Sequence, residues 1–259
     1  MYYCGTCGFS YDDWVGVFFP KGLSRKDWLS YYAREFNALE LNSTYYALPR
    51  PSVLESMAKK TGEGFLFTVK ANQEMTHVRN QGSGVFKAFI GILQPLIDAN
   101  KLGCILAQFP YSFGFNIENH NYLKQLHEWM EGLPLVIEFR NAAWLNQKIM
   151  EWLKSNNIGF CCVDEPHLPK LIPPVAVVTS DIAYLRFHGR NAAKWWQHEQ
   201  AWQRYDYTYK REELEEWIPK ISKMSQEAKN TFIFANNHWQ GQAVDTIRQV
   251  RSMLDQLVL

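Results

Sequence analysis

The residues most suggestive of chemistry stand at Glu138-Phe139-Arg140, where Leu135-Val136-Ile137 runs into a carboxylate and a guanidinium two positions apart, with Trp144 just beyond. In a strand, residues two apart share a face, so Val136, Glu138 and Arg140 point one way and Leu135, Ile137 and Phe139 the other. Other short apolar runs end in the same manner. Ala38 to Asn42 finishes with Glu40 and Asn42, Phe65 to Lys70 with a lysine, and Cys104 to Gln108 with an amide. Phe160 to Asp164 ends in a carboxylate, Tyr184 to His188 pairs Arg186 with His188, and Thr231 to Asn236 leads into Asn237 and His238. Runs that are apolar along their length and polar only at the C-terminal end are expected of buried parallel strands whose ends line one pocket.

Such a pocket would gather the carboxylates Glu40, Glu138 and Asp164, the cations Lys70, Arg140 and Arg186, and His77, His188 and His238. The reading that asks least is a buried ion-pair network closing the top of the fold. Burying this many charges is costly unless it serves a ligand. Four uses can be weighed. A retaining glycosidase needs two carboxyls flanking the bond; barrel glycosidases of that type place them after the fourth and seventh strands, where this chain has Gln108 and Arg186/His188. A divalent-metal phosphodiesterase, endonuclease-like or sugar-isomerase-like site would draw on Glu138, Asp164, His188 and His238. Arg140 and Arg186 on the same faces would repel the dication, and no sharp metal-ligand spacing occurs. A metal-free site for an anionic substrate accounts for most of the residues. Lys70, Arg140 and Arg186 would hold phosphate or carboxylate. Glu40 or Glu138 would act as base and His188 as partner acid, with Asp164 beside them. Asn42, Tyr45, His77, Gln108, Trp144, Tyr205, Tyr207, Asn236 and Asn237 would complete the binding surface. The expectation is a hydrolase or isomerase acting on a phosphorylated or carboxylated sugar-like or nucleotide-like ligand, with no cofactor. Binding of nucleic acid without catalysis is the remaining alternative. Lys194 to Tyr209 interleaves Trp195, Trp196, Trp202, Tyr205, Tyr207 and Tyr209 with basic residues, which suits stacking on bases; a packed lid over the mouth is the simpler reading of that loop.

The elements that would position these side chains alternate along the chain. Helical stripes are expected over Ser24 to Phe36, opened by a Ser-x-x-Asp box, and over Ser52 to Lys60, Val85 to Ala99, Asn119 to Met130, Gln147 to Asn156, Lys210 to Met224 and Gly241 to Leu257. Pro95 and Pro219 are expected to kink or interrupt their helices. With Tyr2 to Cys7 as the first strand there are eight strands in 259 residues, the size of a TIM-like (β/α)8 barrel, with an irregular sixth connection where Glu165 to Ser180 holds four prolines. No linker divides residues 1–259, so one domain is expected. A doubly wound sheet is disfavoured because the first strand lacks a dinucleotide-binding glycine turn.

A net charge of +1 supplies no global field toward DNA or an acidic membrane. No run is long enough to span a membrane and no secretory pattern opens the chain, so a reduced, cytoplasmic setting is expected. The five cysteines then read as small buried hydrophobes, Cys4-Gly-Thr-Cys7 included. His120, His127, His167 and His198 are expected at the surface.

The motifs resemble those of the YecE-like family, catalogued as a domain of unknown function. Gly5 to Trp14 with Phe18-Phe19-Pro20 is similar to its opening signature, and Glu40-Leu-Asn42-Ser-Thr-Tyr45-Tyr46 to its second motif. Phe67-Thr-Val-Lys70 with Thr76-His77, Gln108-Phe-Pro110, Glu138-Phe-Arg140 with Trp144, Leu185 to Gly189, Tyr205-Asp-Tyr207 and Asn236-Asn-His238 continue the resemblance in order. It implies a TIM-like barrel and leaves the reaction open. Phe9 stands where the family pattern usually has tryptophan, a change expected to alter packing more than chemistry.

Overall fold

The computed structural model describes residues 1–80 and 82–256. Its described residues form eight parallel strands with helices between them. In chain order these are β1 (Tyr2–Thr6), α1 (Trp28–Tyr32), β2 (Ala38–Leu41), α2 (Ser43–Tyr46), α3 (Pro51–Lys59), β3 (Leu66–Lys70), α4 (Ser83–Asp98), β4 (Leu102–Gln108), α5 (Ile117–Trp129) and β5 (Leu135–Glu138). They continue as α6 (Gln147–Ser155), β6 (Gly159–Asp164), β7 (Ile182–Phe187), α7 (Arg211–Glu215), α8 (Ile218–Glu227), β8 (Asn230–Ala235) and α9 (Gln242–Asp255). The strands pair in order from β2 through β8 and back to β1. A bridge between Cys7 and Glu40, with the Gly8 amide donating to the Glu40 carbonyl at 2.8 Å, brings β1 to β2 and all but closes the ring.

Side chains complete that seam. Asn37 accepts from the Cys4 amide (2.8 Å) and donates to the Tyr2 carbonyl (2.9 Å). The Tyr32 hydroxyl accepts from the Thr6 amide (2.8 Å) and donates to the Ala38 carbonyl (3.0 Å). They thus satisfy backbone groups that a continuous ladder would have paired. Gly5 makes the approach feasible, since a Cβ there would run into the Ala38 carbonyl oxygen.

Most elements lie where the pattern predicts, and the departures have local causes. The Ser24 box makes no side-chain cap; Arg25–Asp27 is a 3-10 turn and the α-helix starts at Trp28. The interruption expected at Pro219 falls just before it: the proline sits in the first turn of α8, where its missing amide costs nothing, so it opens a second helix. Pro95 lies inside the last turn of α4. Leu257, expected at the end of the last helix, lies outside the described residues. The sixth connection is without helix from Glu165 to Ser180, as its prolines predict. Asn116 and Asn146 cap α5 and α6 through their side chains. His120 is buried, edge-on to Trp152, where a surface position was expected. The cysteines are all free and buried, and no described helix is long and apolar enough to cross a membrane. Phe9 is partly buried against the core, 6.1 Å from the Tyr32 ring.

Candidate active site at the barrel mouth

Inside the barrel, the inward-facing polar side chains of separate strands meet. Arg186, on β7, donates through one terminal nitrogen to Glu138 Oε2 (2.6 Å) and through the other to Glu40 Oε1 (2.7 Å). Glu138 Oε1 takes Arg140 Nε at 2.8 Å, and Arg140 in turn reaches Glu165 Oε2 at 2.6 Å. The result is a chain of alternating charge, Glu40–Arg186–Glu138–Arg140–Glu165, with three carboxylates against two guanidiniums. Neutral groups complete it. Tyr184 donates to Glu40 Oε2 (2.8 Å) and lies 2.9 Å from the Thr68 hydroxyl. His188 Nε2 lies 3.2 Å from Glu138 Oε1, and its Nδ1 lies 3.1 Å from the Asn236 amide nitrogen. Since Asn236 donates to Nδ1, the proton belongs on Nε2, where it points at Glu138.

Charge states follow from these contacts. Burial alone would push Glu138 up, but Arg140, Arg186 and His188 hold it well below the carboxylate range. His188 is held well below the ordinary histidine value, first by burial and then by Arg140, so it is neutral. Glu165 is the carboxylate left short, because Arg140 already compensates Glu138; burial outweighs Arg140 and raises it to about 7. Lys70 is lowered to about 8 by burial, with Arg186 adding repulsion. Its ammonium makes no hydrogen bond or ion pair among the described residues and sits over the Tyr45 ring, 4.6 Å from the centroid.

Above the charge chain lies a hollow in two adjoining lobes of about 420 and 440 Å³. Tyr45, Tyr46, Lys70, Gln108, Arg140 and Tyr205 line both. The first adds Arg186, Asn42, Asn236, Trp202 and His238, the last stacked on Tyr11 at 4.5 Å; the second adds His77, Trp195, Trp196 and Arg204. Among the described residues no carboxylate lines either lobe. The segment from Trp195 to Tyr205 forms one wall, with buried Trp195 between Arg140 (5.6 Å) and Arg204 (5.4 Å) and Trp202 stacked on Trp239 at 3.8 Å. His77, carried by a π-helical turn over Glu74–Val78, is lowered to about 4 by burial and Lys70.

Four expected members of the site stand elsewhere. Asp164 is three residues beyond inward-facing Cys161, hence on the other face of β6. It accepts from Tyr209 (2.6 Å), Trp217 (2.7 Å) and Arg190 (2.8 Å) there. Trp144 is buried in an aromatic stack with Phe139 (4.6 Å) and Phe113 (5.2 Å). Tyr207 bonds Glu213, and Asn237 ties the Tyr207 carbonyl to Thr246 of α9. Glu40, Glu138 and His188 do converge, but fully buried beneath the hollow. Glu165 is the member that sequence reasoning missed. Strand parity would have selected it over Asp164 had one inward position on β6 been known, and an unbroken apolar run gives no such marker. Among the described residues no three His, Cys, Asp or Glu side chains group as metal ligands.

Fold and mouth together define a TIM-like (β/α)8 barrel whose strand ends carry a buried ion-pair chain under a basic, aromatic-walled hollow. The chain belongs to the family described as protein of unknown function DUF72, whose model matches residues 3–258. It is 33% identical to the UPF0759 protein YunF of Bacillus subtilis, over 98% of this chain and 95% of that protein. With the UPF0759 protein YecE of Escherichia coli it shares 24%, over 87% and 83%. The crystal structure of a DUF72 family protein from Thermotoga maritima superposes with a TM-score of 0.91 at 39% identity, covering 98% of this chain and 99% of that one.

Proposed function

We propose that the hollow binds a small anionic ligand, phosphorylated or carboxylated and sugar-like or nucleotide-like, and that the protein is an enzyme acting on it by acid/base chemistry without a metal. The observation that carries this reading is the lining: Lys70, Arg140, Arg186 and Arg204 face the two lobes and no described carboxylate does. A guanidinium fork matches phosphate or carboxylate oxygens. Tyr45, Tyr205 and Trp202 offer faces on which a planar or sugar ring can lie.

Under this reading Glu40, Glu138 and His188 are positioning residues: each is committed to an arginine or to its carboxylate partner, so the guanidiniums are aimed before the ligand arrives. Among the side chains facing the hollow, Lys70 has its proton exchange brought down toward neutral pH, to about 8. A metal-dependent reading is weakened because the carboxylates it would use already hold Arg140 and Arg186. Nucleic acid is the second reading, favoured by Tyr46 and Trp196, which are 75% and 50% exposed at the rim. Binding of sulfate, phosphate, ribose 5-phosphate and single-stranded DNA by titration calorimetry, with the anions located crystallographically, tests both. Charge-assisted hydrogen bonds contribute about 1.5–3 kcal/mol each, so loss of Lys70 in Lys70→Met should weaken the small anions about tenfold or more. Anions found only outside the mouth, or bound equally by the variant, would overturn the proposal. Retention of DNA alone, lost as salt rises, would select the second reading.

A further inference from the structure

Resting on the anionic-ligand reading, we infer that Lys70 is a carbonyl-attacking nucleophile and that the ligand is an anionic aldehyde or ketone, such as a keto acid or an open-chain sugar phosphate. The other cations that line the first lobe are committed: Arg140 to Glu138 and Glu165, Arg186 to Glu40 and Glu138. Lys70 is not. It borders both lobes and has no acceptor within bonding distance among the described residues; its one close partner is the Tyr45 face. A lysine whose task was to neutralise charge would be expected to pair with a carboxylate of the chain beside it, and this one makes no ion pair with those carboxylates.

Its backbone is fixed. Lys70 pairs with Leu106 of β4, its carbonyl accepts from the Thr44 hydroxyl at 2.6 Å, and the Asn72 side chain holds the Thr44 carbonyl at 2.9 Å. The four-carbon stem therefore starts from a fixed base. Burial and the two guanidiniums also make the neutral amine accessible, with protonation lowered to about 8. The neutral nitrogen adds its lone pair to the carbonyl carbon, and the C=O π pair moves to oxygen, which takes up a proton. The carbinolamine then loses water, so ammonium plus carbonyl compound gives a protonated imine plus one water, with charge conserved and nothing oxidised or reduced. Arg140 and Arg186 border the same lobe as Lys70, so an anionic group a few bonds from the carbonyl can meet them while the carbonyl meets the amine.

The full chain is incubated with glyceraldehyde 3-phosphate, pyruvate or uncharged glyceraldehyde in the presence of cyanoborohydride, which reduces an imine to a stable secondary amine, and the labelled lysine is mapped by peptide mass. An amine half neutral near pH 8 should label about tenfold or more faster than exposed lysines, whose unperturbed pKa is about 10.4. The expected result is adduct at Lys70 ahead of all other lysines, rising in rate through about pH 8. No label at Lys70, or label no faster than at exposed lysines, would overturn the inference. Sulfate separates the two claims. If it protects Lys70 against the charged probes, both stand. If glyceraldehyde labels Lys70 selectively while sulfate neither binds nor protects, the nucleophile stands and the anionic substrate class falls. If sulfate binds in the mouth and Lys70 is inert to every probe, the binding reading stands and the imine inference is lost.

Discussion

Glu165 gives the sharpest test of the ion-pair chain, because two large effects oppose each other there. Its carboxylate is buried at 2.6 Å from Arg140, a contact that favours the charged form. Burial and the neighbouring Glu138 favour the neutral one, and they prevail, raising it from 4.5 to about 7. At about 1.4 kcal/mol per pH unit, that displacement corresponds to about 3 kcal/mol. The folded state holds this proton more tightly than the unfolded one, so the contribution is fully present below pH 4.5 and is lost as pH rises through about 7. Glu165→Gln fixes the neutral form. Urea unfolding of both proteins at pH 5, 6, 7 and 8 should show the wild type losing about 2.5 kcal/mol relative to the variant across that range, with most of the loss before pH 7. A difference that stays flat, or in which the wild type gains as pH rises, would mean that Arg140 dominates and that the chain carries its three negative charges intact.

Glu138→Gln should cost far more than Glu165→Gln, about 3–5 kcal/mol at pH 7, because it leaves Arg140 and Arg186 each short of a buried counter-charge. Since Glu138 is held below the carboxylate range, this advantage of the wild type should persist at neutral pH and shrink only as pH falls below about 4.3, which a denaturant series checks. Gly5→Ala should lower stability by about 3 kcal/mol or prevent folding, as two backbones must part at the β1–β2 seam; thermal melting and soluble yield report it. Sulfate affinity should fall as pH rises through about 8, where Lys70 loses its charge, and Lys70→Met should abolish that dependence in calorimetry.

The barrel was legible because each strand is a short apolar run with a polar tip, and eight of these separated by helical stripes leave few alternatives. Arg186, Glu138 and Glu40 could be placed at one opening on the same grounds. Which face of β6 looks inward is not legible: Gly159 to Val163 offers no polar residue to mark a side, so the pattern points to Asp164 where its neighbour Glu165 faces inward. Trp144 beside Arg140 reads equally as wall or core, and only the stack with Phe139 and Phe113 decides for core. The Asn37 and Tyr32 bonds across the seam depend on side chains outside the strands, which strand patterning does not report.

Under the proposed function, the arrangement of charge has a consequence for how the mouth would hold its anion. An arginine facing a hollow alone would be free to sample rotamers and would have to be ordered by its ligand, at about 0.5–1.5 kcal/mol per side chain. Arg140 and Arg186 are instead each gripped by two carboxylates, so that ordering is completed on folding. The cost is that both charges are largely neutralised by their partners, leaving directional N–H groups more than net field. Lys70 supplies the complement: without an ion-pair partner among the described residues and set on a fixed backbone, it brings charge that a proton can remove. Preset geometry from the arginines and adjustable charge from the lysine make different demands on a ligand. A fixed set of donors selects for oxygens in a given spacing, whereas the lysine responds to whatever group lies beside Tyr45. A ligand satisfying both has its anion and its reactive centre at different points, which is the division expected of a substrate held at one end and transformed at the other.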